Sequence, residues 1–185
     1  MKEWEYKDYD EYVDNQKTRW KSQKWKKKDF GYYNKITKPL RHIIKDRSII
    51  KSVVCQGVRN TAEVEFMGQI FKRAKIYGTD IGFEDPKHNI LKMDFNKCPD
   101  DWTDKFDLLF SNSVDHAFGA MSTLKEWKRI TKQYMIIQFS GGRAKSSPSD
   151  PFTISSQDDI KFICEDVGLE ILDLQHFVLT AKVLR

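Results

Sequence analysis

The sequence predicts an α/β fold: a doubly wound, mostly parallel sheet with helices on both faces and a helical segment ahead of it. Three observations carry that reading. From residue 52 onward, short continuous apolar runs alternate with longer stretches of helical periodicity, the texture of parallel strands buried on both faces. Several of those runs finish in polar residues, as strand ends facing a crevice do. The opening segment differs in kind: residues 1–51 hold 15 Lys and Arg against 8 Asp and Glu, a balance of +7, while residues 52–185 hold 17 against 19, a balance of −2.

The chain therefore divides into a helical segment at 1–50 and a sheet domain at 51–185. Residues 1–14 are acidic and aromatic, and KTRWKSQKWKKK at 17–28 carries seven basic side chains around Trp20 and Trp25. Tyr9, Tyr12, Val13 and Trp20 recur near the helical period, which predicts one amphipathic helix, and Ile36, Leu40, Ile43 and Ile44 predict a second. Pro39 is expected at or near a helix start.

In the sheet domain, SVVCQGV (52–58) reads as the first strand. TAEVEFMGQIFKRA follows as a helix through Val64, Met67, Ile70 and Phe71. KIYGTDI (75–81) and NILKMDF (89–95) are the next two strands. GFEDPKH between them is shorter than a helical crossover needs, so the helix there is expected to be lost or cut to a turn. FDLLFSNS (106–113) is the fourth strand, TLKEWKRITK (123–132) a helix with Leu124, Trp127 and Ile130 on one face, and YMIIQFS (134–140) the fifth strand. A Gly-, Ser- and Pro-rich loop, SGGRAKSSPSDP, leads to the helix SQDDIKFICEDVG (156–168), capped by Ser155 or Ser156 and stopped by Gly168. LEILDLQHFVLTAKVLR supplies two closing strands that pair antiparallel about Gln175 and His176.

Composition narrows the classes. A hydrophobic share of 39% beside a charged share of 32% fits a globular protein with a charged surface, and no apolar run reaches the roughly 20 residues of a membrane span. The opening MKEWEYKDYDEY does not resemble a signal peptide, so a cytoplasmic location and no membrane partner are expected. Cys55, Cys98 and Cys164 are odd in number and far apart, which fits a reducing compartment. Together with His42, His88, His116 and His176 they show no metal-ligand spacing, so no metal is expected.

The strand ends name the candidate site. Gln56, Gly57 and Val58 end the first strand, where the following helix aims free N–H groups at an anion. Asp80, with Ile81, ends the second strand 23 residues after Gly57, placed to accept from both hydroxyls of a ribose. Asp94 and Phe95 end the third, a carboxylate for an adenine amino group beside a ring for the base. Ser111, Asn112 and Ser113 end the fourth, followed by Asp115 and His116.

In this order the residues resemble class I S-adenosylmethionine-dependent methyltransferases of the small-molecule type, over about residues 50–185. The stretches that carry the resemblance are VVCQGVRNTAEV, YGTDI, LKMDF and, most specifically, FDLLFSNSVDHAF with LKEWKRITK leading into YMIIQFS. The resemblance implies a seven-stranded Rossmann-like sheet with an antiparallel last strand, an N-terminal helical cap over the acceptor site, and methyl transfer from S-adenosyl-L-methionine to a small molecule. His116, then Asp115, are the candidate bases.

The chain departs from the family in its first motif. Cys55 stands where an acid is usual, and Val58, Arg59, Asn60 and Thr61 stand where small residues are usual. Arg59 is expected to compensate at the cofactor's carboxylate and Glu63 at its ammonium, and the short link after Asp80 is expected to leave the adenine side open. Other readings stay in view: a catalytically silent relative, a nucleic-acid-associated module using KTRWKSQKWKKK, and an NAD-dependent oxidoreductase. The last is disfavoured because a pyrophosphate needs the missing glycines.

Overall fold

The computed structural model describes residues 1–26, 30–141 and 145–185. Its strands are β1 (Lys2–Glu3), β2 (Ser52–Gln56), β3 (Lys75–Asp80), β4 (Ile90–Lys92), β5 (Phe106–Ser111), β6 (Thr131–Gln138), β7 (Phe152–Thr153), β8 (Leu169–Gln175) and β9 (Val178–Val183). The helices are α1 (Tyr9–Gln23), α2 (Phe30–Ile43), α3 (Ala62–Ile70), α4 (Ala120–Ile130) and α5 (Gln157–Val167). Seven strands form one sheet in the order β4-β3-β2-β5-β6-β9-β8, and β1 pairs separately with β7. Strands β4, β3, β2, β5 and β6 are parallel, and β9 joins antiparallel to both β6 and β8.

The alternation of strand residues decides which helix covers which face. Val53, Cys55, Leu108, Phe110 and Ile136 point to one side, where they share a core with Tyr33, Ile36 and Leu40 of α2 and Val64, Phe66 and Met67 of α3. Val54, Leu109, Met135, Ile137 and Leu179 point to the other, against Leu124 and Trp127 of α4 and Ile160, Ile163 and Cys164 of α5. Every residue of β5 is buried, as a central parallel strand requires. The three cysteines are free and buried.

Register brings the strand ends level. Gln56 lies opposite Thr79 of β3 and opposite Ser111 of β5, so the first, second and fourth strands of the sequence reading stop side by side. The link from β3 to β4 keeps a single 3-10 turn at Pro86–His88, started by the Asp85 side chain accepting from Lys87 N–H at 3.0 Å. That is the shortening the sequence predicts.

Several boundaries differ from expectation, each for a local reason. β4 covers Ile90–Lys92 rather than 89–95, because Asp94 turns to accept from Asn96 N–H at 2.9 Å and Phe95 leaves the sheet to pack on Trp127. α4 begins at Ala120 and β6 at Thr131, each a few residues earlier than the periodicity indicates. Pro39 lies inside α2 rather than at its start. The helix there buries Ile36 and Leu40, and that burial outweighs the hydrogen bond a proline cannot donate. Ser156 and Gly168 do cap α5: the Ser156 side chain and Asp159 make a reciprocal capping box, and Gly168 ends the helix at φ +76°. The closing hairpin turns at His176 and Phe177, one residue later than expected.

Trp127 ties the crevice to the core. Its indole is wholly buried, lies edge-on to Phe95 at 5.4 Å, and donates from Nε1 to the Phe95 carbonyl at 3.0 Å. Trp127→Ala is expected to cost about 3–5 kcal/mol in urea unfolding. A loss near zero would show that this anchor is not part of the core.

Candidate functional site

The loop after β2 departs most from common sequence patterns. Gly57 takes φ +76°, and a Cβ there would lie 2.6 Å from the Cβ of Ser113, so the position demands glycine on two counts. Gly57 and Val58 donate their N–H groups to the Thr79 carbonyl at 2.9 and 3.0 Å. Arg59 then enters the left-handed region at φ +41°, which a residue with a side chain rarely adopts. Its peptide is held at both ends: the N–H donates to Asp80 Oδ2 at 3.1 Å, and the carbonyl accepts from Trp20 Nε1 at 2.9 Å. The loop thus follows a glycine-type path without the second glycine.

Asp80 also accepts from Gly82 N–H at 2.7 Å through Oδ1. Burial raises its pKa, opposed by the Gly82 and Arg59 N–H bonds. Expectation and structure part at the next residues. The adenine side is not open, because Trp20 of α1 stacks over Phe83 at 6.3 Å, and the glycine at 82 leaves room for its indole. α1 continues across the crevice. Tyr9 hydrogen-bonds Asp94 Oδ2, Asn96 Nδ2 donates to the Tyr12 hydroxyl at 2.7 Å, and Tyr6, Tyr9 and Tyr12 gather around Phe118. The Asp94 carboxylate is therefore engaged by Tyr9 and Asn96.

Two cavities meet beneath α1. The inner one, about 50 Å³, is lined by Gly57, Asp80, Ile81, Asp94 and Phe95 under Tyr12 and Trp20. The outer one, about 730 Å³, reaches Glu63, Asn112, Asp115 and Gln138. Arg59 and His116 line both. Gln56 and Ser111 lie below rather than beside them. Gln56 Nε2 donates to Cys98 Sγ at 3.5 Å, and the Ser111 hydroxyl donates to the Gln56 carbonyl at 3.0 Å. Val58 is core.

Glu63 lies buried in the first turn of α3. It is 6% exposed, and the Tyr33 hydroxyl donates to its Oε1 at 2.8 Å while Oε2 has no partner among the described residues. Burial pushes its pKa up to about 7, with the Tyr33 hydrogen bond pulling the other way.

On the far side of the crevice, His116 sits in a short helical turn directly after the fourth crevice strand. Its Nδ1 lies 2.8 Å from the Ser149 carbonyl, which only accepts, so Nδ1–H donates there and Nε2 faces Asp115. Asp115 Oδ1 stands 3.7 Å from Nε2 without a hydrogen bond of its own, while Oδ2 accepts from the Ser140 hydroxyl at 2.5 Å. Asp150 Oδ1 is 3.7 Å from Nδ1 and pairs with Arg19 of α1 through two hydrogen bonds of 2.9 and 3.1 Å. Asp115, His116 and Asp150 offer ligand atoms within 4.8 Å of one another, with Arg19 already serving as the cation beside Asp150.

Sequence reasoning expected a helical cap from the N-terminal segment but did not name Tyr33 or Arg19 in it, nor Asp150, Gln138 and Ser140. Trp20 was visible as part of a helical stripe. Asp150 gave no signal, because it reaches the site from a Ser- and Pro-rich loop. Of the basic run at 17–28, Lys27 and Lys28 lie outside the described residues, and Trp25 is 80% exposed with Lys24 Nζ 4.7 Å over its ring.

Comparison with solved structures places this geometry. The chain aligns over 98% of its length, and over 92% of the other, with a Burkholderia thailandensis 1,6-didemethyltoxoflavin-N1-methyltransferase bound to S-adenosylhomocysteine, at TM-score 0.69 and 12% identity. It aligns over 95% with the Synechocystis magnesium protoporphyrin IX methyltransferase, 97% of that chain, at TM-score 0.61 and 14% identity. An Aquifex aeolicus S-adenosylmethionine-dependent methyltransferase is matched along 100% of its length, at TM-score 0.57 and 18% identity. No protein-family model and no curated protein sequence matches the chain. The fold is the Rossmann-like fold of class I methyltransferases, with an antiparallel last strand. No helix among the described residues is long and apolar enough to cross a membrane.

The raised pKa of Glu63 has a stability consequence with a definite sign. A carboxyl at about 7 in the folded state against 4.5 when solvated stabilises the fold fully below the lower value and loses that contribution as pH rises through the higher one. Glu63→Gln is therefore expected to match the parent near pH ~5 and to exceed its unfolding free energy by about 2–3 kcal/mol near pH ~8.5. A difference that stays flat with pH would remove the burial argument.

Proposed function

We propose that the protein binds S-adenosyl-L-methionine in the crevice under α1 and transfers its methyl group to a small-molecule acceptor in the outer cavity. The observation that carries this reading is the buried, unpartnered Oε2 of Glu63 beside the strand-end loop. A buried carboxylate oxygen without a donor is costly unless a ligand supplies one, and an ammonium group does. Arg59, on the wall of both cavities, is the complementary cation for a carboxylate. A ligand bearing an amino-acid tail satisfies both.

When bound, the cofactor supplies an electrophilic methyl on a sulfonium, and most of the remaining work is positional. Asp80 keeps lone pairs beyond the two N–H bonds it accepts and lines the inner cavity, where it would accept from ribose hydroxyls. Phe95 would form an apolar wall for the base. Asp94, once released by Tyr9, would accept from the adenine amino group. The inner cavity is small against the roughly 300–1,000 Å³ typical of ligand sites, so Tyr12 would give way as the nucleoside enters, while Trp20 keeps its bond to the Arg59 carbonyl. His116 accepts the acceptor's proton at Nε2, and Asp115 beside it stabilises the imidazolium.

The [4+2]-cyclase SpnF, which shares this fold at TM-score 0.52 and 12% identity, shows that the fold also hosts other chemistry. Cofactor binding and methyl transfer are therefore separate questions. Binding is tested by thermal shift with S-adenosylmethionine, S-adenosylhomocysteine and NAD offered separately. The first two are expected to raise Tm, and Asp80→Ala to abolish the rise, with a loss in affinity of at least about tenfold. Stabilisation by NAD alone would overturn the reading.

A further inference from the structure

From the shape and charge of a second cavity we infer that the methyl acceptor is an extended molecule with an apolar body and one anionic group. That group lies between α2 and the β8–β9 hairpin. The inference rests on the methyltransferase reading of the adjoining site.

The outer cavity does not end at His116. Tyr32, Gln138 and His176 line it and also line a further cavity of about 570 Å³ on the outer side of α2. The floor of this further cavity is apolar, formed by Ile36, Pro39 and Ile43 of α2 facing Leu172 and Val178 of the hairpin. Its rim is basic. Lys35 and Lys38, three positions apart on one helix face, outnumber one acid, Asp173, and the His42 and His176 rings add polar edges. An apolar trough with a lysine rim complements an amphipathic anion, and it repels a cation of the same shape.

The hairpin tip argues that this arrangement is built rather than incidental. His176 and Phe177 both sit in the left-handed region, at φ +48° and +65°, in a two-residue turn where asparagine and glycine fit without strain. A bulky residue in that region is strained. The strain is held by Phe139 N–H donating to the Phe177 carbonyl at 2.9 Å. The turn thereby sets the Phe177 ring against Gly141 on the wall of the acceptor cavity and His176 at the junction of the two cavities. Tyr32, hydrogen-bonded to Gln138, lines the same junction.

The test uses the full chain saturated with S-adenosylhomocysteine and titrated calorimetrically with octanoate, octyl phosphate, octyltrimethylammonium and inorganic phosphate. Octanoate or octyl phosphate should bind, the tighter one identifying the anion as carboxylate or phosphate, and the cationic amphiphile and inorganic phosphate should bind far more weakly. The double charge reversal Lys35→Glu/Lys38→Glu, at exposed positions, should weaken the anion by at least about tenfold and leave S-adenosylhomocysteine affinity unchanged. Equal binding by the cation, equal binding by inorganic phosphate, an unaffected double variant or no anion binding at millimolar concentration overturns the inference. Failure of S-adenosylhomocysteine itself to bind is read in the first titration and counts against the methyltransferase reading, separately from the groove.

Discussion

The peptide of Arg59 is held in a conformation its residue type would not choose, and the site depends on what holds it. Asp80 takes its N–H and Trp20 supplies a donor to its carbonyl. In a glycine-rich loop the left-handed backbone is intrinsic. Here it is imposed from outside, by a strand-end carboxylate on one side and a helix from the N-terminal segment on the other. The strain persists because the surroundings over-determine it. Three parts that look independent along the chain are thereby coupled: the loop, the acid that ends β3, and α1.

That coupling runs through the basic N-terminal segment. It contributes the buried Tyr12 and the half-buried Trp20 at its aromatic face, and a paired cation, Arg19, at Asp150 beside His116. The same helix thus closes the crevice and reaches the loop that orients the imidazole. Two acids stand at this loop: Glu63 in the first turn of α3, and Asp80, which accepts from the Arg59 N–H.

Much of this was legible in the sequence. The parallel sheet followed from apolar runs such as FDLLFS, all of whose residues are buried. The level ends of the first, second and fourth strands followed from the residues that close their runs, at Gly57, Asp80 and Asn112; Asp94 lies beyond the end of β4. The capping of α5 was spelled out by Ser156 and Gly168. Other features were not legible, for identifiable reasons. Periodicity shows that Tyr12 and Trp20 share a face but not which surface that face meets, because the meeting is long-range. Asp150 lies in a loop without periodic pattern. Pro39 reads as a helix start locally, and only the burial of Ile36 and Leu40 explains why the helix runs through it. His176 and Phe177 carry no turn signature, since the turn they form is strained.

The central claim is that Asp80, Arg59 and Glu63 together hold a nucleoside bearing an amino-acid tail. It is tested most directly by a crystal structure of the protein grown with S-adenosylhomocysteine. The account predicts the ribose hydroxyls on the Asp80 carboxylate, the ammonium within hydrogen-bond distance of Glu63 Oε2, the Arg59 side chain at the tail carboxylate, and Tyr9 released from Asp94. A nucleoside bound elsewhere, or one bound in the crevice with Glu63 still unpartnered, would contradict it.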